Sequence, residues 1–340
     1  MWNTGLPSRH SLIAGLLGLL CGLGPALAAA PCPGPALGLQ ALAPGVWWLP
    51  ARPGEADAHN RGQVSNLLAV RDGRRLWLLG SGPSPAFGRA LACQLRQRSG
   101  LAVTDVISPW ARPELVLGVA GLGPVRHWAH AQVAEAMAGQ CARCIERLRQ
   151  RLQAAAADLE PAAALPALPT HRLQGTSGRL GPLRWWLLPR DADHGLTLWR
   201  LALPGRAAAL WFAPGLLNGS GPPDGRDADL ALLQQGAERL QQLAAESAAG
   251  AAPLYLGEQG PPLADAAPQR HAGYWAELRR QALAALDRGD AEGGAAPSWP
   301  GLDPAWARHA WHGFNWQRMW RQAEPQWLAA PAAPAAAASR

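Results

Sequence analysis

The stretch ISPWARPELVLG, residues 107–118, decides how this chain is read. It follows the apolar run LAVTDVI, residues 101–107, which reads as a strand, and it precedes the small-residue segment 119–122. It is therefore the loop leaving a strand. Trp110, Arg112, Pro113, Glu114 and Leu115 fill it, so the junction carries a large aromatic, a fixed positive charge and a carboxylate. What these side chains can hold determines the chemistry available to the protein.

Outward from this loop, strands and helices alternate. Short β-type runs are predicted at 45–49, 64–70 and 76–79, with Asp72-Gly73 as a hairpin turn between the last two. Helices are predicted at 85–99, where Phe87, Leu91 and Leu95 recur at helical spacing, and at 131–152. The Ala/Pro-rich stretch 154–170 reads as a connection. A second β-rich block follows at 183–188, 196–203 and 208–212, then a helix at 227–245, a strand at 252–256 and a helix at 271–287. A Trp-rich segment, 306–327, closes the folded part, and the low-complexity stretch 329–340 is expected to be a disordered tail. Two similar halves of mixed strands and helices predict an α/β fold with two facing sheets and helices outside.

Residues 1–30 have the layout of a cleaved export signal. Arg9 and His10 give a basic start, 11–23 is apolar, and Ala26-Leu27-Ala28 is a small-residue cleavage pattern. The apolar stretch is too short to span a bilayer comfortably, and no later run reaches that length. A periplasmic or secreted protein without stable membrane insertion is expected. Cys21 lacks the small preceding residue that lipoprotein processing needs. Cys32, Cys93, Cys141 and Cys144 remain after cleavage, an even set that favours disulfides in an exported chain, with the pairing left open. Cys141 and Cys144 also have redox or zinc spacing, but they fall inside a helical pattern with no second pair to complete a zinc site.

The balance is 31 basic to 24 acidic residues, and every basic residue is arginine. The arginines are scattered rather than clustered, which argues against a nucleic-acid partner. The many tryptophans, including Trp47-Trp48, Trp185-Trp186 and the set Trp306, Trp311, Trp316, Trp320 and Trp327, are expected mainly in the core. An aromatic glycan-binding surface is the alternative for them. Ser81, Ser84 and Ser108 stand near strand ends, but none lies in a Gly-x-Ser-x-Gly elbow, which argues against a serine hydrolase.

Several of these junctions together resemble the metallo-β-lactamase-fold hydrolases, over residues 39–327, and most closely the exported branch of the quinoprotein relay system zinc metallohydrolase type. Leu79-Gly80-Ser81-Gly82 resembles a strand-end Asp-Ser/Thr-Gly, with Gly80 at the aspartate. Residues 110–115 match His-x-His-x-Asp-His, followed by a retained Val116-Leu117-Gly118. His130 falls on a further histidine ligand, and His194 on the histidine of His-Thr-x-Gly-Asp, where Leu198 replaces the aspartate. Phe212-Ala213-Pro214-Gly215-Leu216-Leu217 matches Phe-Ala-Gly-Asp-Leu-Leu, with Gly215 at the aspartate that would bridge two metals. Leu256-Gly257-Glu258-Gln259-Gly260-Pro261 matches Pro-Gly-His-Gly-Pro, with Gln259 at the histidine.

The resemblance implies a four-layer αββα sandwich of the metallo-β-lactamase type, as one domain over 31–328. It also identifies what is missing. Zinc is held by imidazole, thiolate or carboxylate, none of which Trp110, Arg112 or Leu115 supplies. His130, His194 and Glu114 are what remains, too few to hold the two cations of dinuclear hydrolysis. The expected protein is a non-catalytic binding or accessory protein without a cofactor. Trp110, Arg112, Asp193 and Gln259 would line its cleft, and His130 and His194 would be further contacts. The resemblance implies a partner among periplasmic pyrroloquinoline-quinone dehydrogenases or cytochromes. The alternative is a hydrolase with one zinc on His130, His194 and a carboxylate from Glu114, Asp193 or Glu258.

Overall fold

The computed structural model describes residues 1–2, 31–156, 159, 168–247 and 251–329, the side chains of 140–144 and 155–156 excepted. The proposed signal, the tail beyond 329 and the side chains of Cys141 and Cys144 lie outside the described residues. The chain divides into Met1–Pro31 and Cys32–Arg340, and every described strand and helix belongs to the second unit.

Seven strands pair in chain order to form the first sheet. They are β1 (Gln40–Ala43), β2 (Val46–Leu49), β3 (Leu67–Asp72), β4 (Arg75–Leu79), β5 (Asp105–Ser108), β6 (Arg126–His130) and β7 (His171–Leu173). The first four are antiparallel hairpin partners, whereas β4 to β7 run parallel. Parallel pairing needs crossovers, and α1 (Pro85–Ser99), α2 (Pro113–Val116) and α3 (Ala131–Leu152) supply them. The second sheet has five strands in the order β12-β11-β10-β9-β8. These are β8 (Ser177–Leu180), β9 (Leu183–Pro189), β10 (Gly195–Ala202), β11 (Ala209–Phe212) and β12 (Leu254–Leu256). The remaining helices are α4 (Leu230–Ser247), α5 (Ala267–Asp287), α6 (Pro304–Ala307) and α7 (Ala310–Ala329).

Strand periodicity sorts side chains into three cores. Leu68, Val70, Trp77 and Leu79 of the first sheet meet Trp185, Trp199, Leu201 and Phe212 of the second, which places one core between the sheets. The alternate residues Leu67, Ala69, Leu76 and Leu78 face the other way, onto Leu91 and Leu95 of α1 and Val133, Met137 and Leu148 of α3. On the far side, Leu196, Leu198 and Trp211 pack on α4, α5 and α7 through Leu233, Leu240, Trp275, Leu278, Trp316 and Trp320. The four layers are therefore helix, sheet, sheet, helix, as expected from the sequence. The adjacent Trp185 and Trp186 show the same alternation, one between the sheets and the other against the outer helical layer.

Several local expectations are corrected. The strand expected at 101–107 begins only at Asp105, because Leu101–Thr104 make the connection from α1 and Thr104 joins β4 through Leu76. The run expected at 64–70 starts as a strand at Leu67, since Asn66 donates instead to the carbonyls of Gly257 and Gly260. His127 and His130 lie on β6, where a three-residue spacing sends them to opposite sides. The short strands β1, β7 and β8 were not legible as periodic runs.

Candidate functional site

Four connections meet at one end of the sheets and bound a cleft of about 350 Å³. The loop after β5 brings Trp110, Arg112 and Glu114; the turn between β9 and β10 brings Arg190, Asp191 and His194. The segment after β11 brings Asp224, Arg226 and Asp227, and Glu55 enters from the loop after β2. Arg147 and Arg151 of α3 stand on its wall.

The β5 loop is fixed by main-chain geometry. Pro109 accepts from both the amide and the hydroxyl of Thr197, at 2.8 and 2.9 Å, which ties the loop to β10. Pro113 opens α2, where a missing amide costs nothing, and the carbonyl of Arg112 accepts from Leu115 and Val116. Arg112 is thereby turned inward and is only 6 % exposed. Its guanidinium lies 3.3 Å from Glu114, 3.5 Å from Asp224 and 3.5 Å from Glu258. Burial works most strongly against its charge, but Glu258, Glu114, Asp224 and Glu55 outweigh that and hold the guanidinium above its ordinary range.

The carboxylates are anchored in turn. Glu258 is buried, accepts from the Ser65 hydroxyl, and sits on a loop whose turns depend on close backbone approach. A Cβ at Gly257 would meet the Leu217 carbonyl oxygen at 2.4 Å, and one at Gly260 would meet Gly219 at 2.5 Å. Asp224 forms a fork with Arg226, at 2.9 and 2.7 Å, and Arg226 also reaches Glu55 at 2.9 Å. Burial pushes the Asp224 carboxyl up, yet Arg226, Arg112 and Arg190 together leave it below the usual range. Glu55 behaves likewise, raised by burial but brought below its ordinary value by Arg226 and the Trp311 indole.

Arg190 is held differently. It donates to the main-chain carbonyls of Gly215 at 2.7 Å, Arg226 at 3.1 Å and Asp224 at 3.3 Å, and it lies 4.3 Å from the ring centre of Trp110. Two glycines explain how Trp110 and Leu115 fit. A Cβ at Gly215, where φ is +77°, would lie 3.0 Å from the Trp110 indole. A Cβ at Gly80, where φ is +76°, would lie 2.5 Å from Leu115.

The residues expected at the site are only partly brought together. Trp110, Arg112, Glu114 and His194 line the cleft. His194 is paired with Asp191 at 3.0 Å, in a turn that Asp191 closes by accepting from the amides of Asp193 and His194. His130 is elsewhere: its Nδ1 caps α3 by accepting from Gln132, and its Nε2 donates to the Gly175 carbonyl at 3.0 Å. Burial leaves it below the ordinary histidine range. Asp193 is exposed outside the cleft. Gln259 is buried and spans Gly54 and Ser220, while its neighbour Glu258 is the residue that reaches Arg112. Ser108 bonds His127 at 2.8 Å, both buried away from the cleft.

Glu55, Asp191, Arg190, Asp224 and Arg226 were missed in the sequence. The charged clusters Arg190-Asp191 and Asp224-Gly225-Arg226-Asp227, each at the end of an apolar run or a Pro/Gly stretch, were the signals that could have found them. The donor set does not suit a zinc ion. Glu114, Asp224 and Glu258 share the Arg112 guanidinium, His130 is committed elsewhere, and no group of three His, Cys, Asp or Glu able to hold a metal occurs among the described residues.

No protein-family model matches the sequence, and no curated protein matches it either. Solved structures do. A metallo-β-lactamase from Hirschia baltica is 13% identical, with a TM-score of 0.51 over 70% of this chain and 96% of that one. The metallo-β-lactamase FIM-1 from Pseudomonas aeruginosa, in its mono-zinc form, is 19% identical, with a TM-score of 0.51 over 70% and 94%. A metallo-β-lactamase from Erythrobacter litoralis, with β-mercaptoethanol in its active site, is 16% identical, with a TM-score of 0.52 over 70% and 96%. At these identities the likeness is one of fold, and the chain has the metallo-β-lactamase fold.

Proposed function

We propose that this protein is an exported, non-catalytic binding protein in which a metallo-β-lactamase-type cleft has been rebuilt around an internal cation. The observation that carries this reading is the buried guanidinium of Arg112 among Glu114, Asp224 and Glu258. A fixed charge on a tethered side chain satisfies the carboxylates that a free cation would otherwise need to neutralise. It also supplies no activated water and no open coordination position, the two things metallohydrolysis requires.

Export is supported by the signal-like residues 1–30 and by the Cys32–Cys93 disulfide, a bond that persists in oxidising compartments. No helix among the described residues is long and apolar enough to cross a membrane. The resemblance to the quinoprotein-associated branch makes a periplasmic quinoprotein dehydrogenase or its cytochrome the proposed partner.

The test is elemental analysis and turnover on protein recovered from the periplasm. The expected result is substoichiometric zinc and iron, no hydrolysis of lactam, thioester or phosphodiester substrates, and co-purification of a quinoprotein or cytochrome. Stoichiometric zinc that is lost in a Glu114→Ala/His194→Ala double variant would overturn the reading in favour of a mononuclear hydrolase.

A further inference from the structure

The charges lining the cleft do not pair off evenly. Arg112 faces Glu114 and Asp224, Arg226 faces Asp224 and Glu55, and Arg151 lies 3.3 Å from Glu55. Asp191 is engaged by His194. Arg147 and Asp227 are exposed, so water solvates each of them. Arg190 is the exception, only 4 % exposed, and all of its hydrogen bonds go to main-chain carbonyls. Among the described residues no carboxylate lies within ion-pair distance of it.

A buried charge without a counter-charge is costly, and carbonyl dipoles offset only part of that cost. Burial accordingly draws the Arg190 guanidinium below its ordinary range, against the more distant pull of Asp224 and Glu258. The structure keeps this cation in place nonetheless. Three carbonyls from two segments aim it, and the Trp110 ring covers one face. It also lines an open cleft rather than a closed core.

Resting on the reading of this cleft as a binding site, we propose that Arg190 anchors a small carboxylate ligand, whose body lies along Trp110 and the wall of α3. The cleft, at about 350 Å³, falls within the roughly 300–1,000 Å³ range of small-molecule sites. A monocarboxylate suits it better than a phosphate. Asp224 and Asp227 flank the guanidinium closely enough to act on its charge, and they would repel a second negative charge on the ligand. Recognition is by one charge-assisted hydrogen bond from the remaining Arg190 donors, with aromatic contact beside it.

Calorimetric titration of the full-length mature protein with benzoate, benzamide and inorganic phosphate tests this. Benzoate should bind about tenfold to a hundredfold more tightly than the isosteric but uncharged benzamide, the ratio expected for a hydrogen bond to a charged group. Phosphate should bind more weakly than benzoate. Arg190→Gln should abolish the preference for benzoate, whereas Arg239→Ala, exposed on α4 outside the cleft, should keep it. Equal binding of benzoate and benzamide, tighter binding of phosphate, or a preference surviving Arg190→Gln would overturn the proposal. If Arg190→Gln loses its near-ultraviolet circular dichroism, crystals of the wild type soaked in benzoate decide instead. A carboxylate against Arg190 supports the proposal, and one placed elsewhere, or none, defeats it. Failure of benzoate to bind would leave the Arg112-filled cleft intact as an interpretation. Stoichiometric zinc would remove that interpretation without changing the benzoate ratio.

Discussion

Arg112 and Glu258, brought together from loops that follow strands of different sheets, face each other across 3.5 Å in the interior. Neither Arg112 Nη1 nor Glu258 Oε2 makes a hydrogen bond among the described residues, so attraction between charges, more than hydrogen-bond geometry, joins the two sheets there. In a site with little water such attraction is weakly screened, and each partner is costly without the other.

Arg112→Ala should therefore lower unfolding free energy by about 3–5 kcal/mol, the usual cost of leaving buried charges uncompensated. Urea denaturation is the appropriate measurement, because guanidinium is itself a candidate occupant of the vacated space. Methylguanidine at millimolar concentration should raise the melting temperature of Arg112→Ala but not of the wild type. Equal effects of methylguanidine and sodium chloride would show that the carboxylates do not form a cation site.

Gly215→Asp should destabilise the protein by about 2–3 kcal/mol, since a side chain there meets the Trp110 indole at 3.0 Å and adopts a left-handed backbone. Combined with Trp110→Ala, its additional cost should shrink by at least about 0.5 kcal/mol, the coupling expected of residues that share one space. Strict additivity in urea melts would refute the steric link.

Acid should weaken the fold in two stages. His271 is fully buried, with Nδ1 donating to Ala267, and burial lowers its pKa to about 4. The unfolded chain binds that proton near 6.5, so stability present above pH 6.5 is lost as the pH falls towards 4, by about 3 kcal/mol. Asp224 and Glu55, also held below their ordinary values, extend the loss below the normal carboxylate range as they protonate. A His271→Gln variant should show a shallower stability profile between pH 6.5 and 5, with the remaining slope from His130, His309 and His312, which burial also holds below their ordinary range, while keeping the lower stage.

The Cys32–Cys93 disulfide spans 61 residues and ties the segment before β1 to α1, where Gln94 also bonds Leu37. Cys93→Ser should reduce stability by about 2–4 kcal/mol. Dithiothreitol should destabilise the wild type and leave the variant unchanged.

The layered fold was legible because strand alternation and helical spacing follow directly from burial, as the divergent Trp185 and Trp186 illustrate. The Trp110–Leu115 loop was placed correctly for the same reason. The cleft was legible only where one loop supplied its own residues. Glu55, Arg190 and Asp224 come from distant segments, and each carries an ordinary surface-type side chain that only tertiary packing buries or turns inward. Motif alignment selects Gln259 over Glu258 because it does not specify which way a glycine-bracketed turn aims its side chains. That His130 is committed to the α3 cap and to Gly175 rather than to the cleft was not legible, because the Gly175 contact joins segments far apart in the chain.

The two glycine contacts at the cleft also restrict how this protein can change. An acidic side chain at position 80 needs both Leu115 and Leu67 to give way first, and one at 215 needs Trp110 to move first. Either glycine replaced alone gives a strained and less stable chain, and either large residue trimmed alone leaves a void. A change to a carboxylate-lined cleft therefore passes through less stable intermediates. The interlock works as a ratchet, holding the cleft in its present chemistry even under selection for the other.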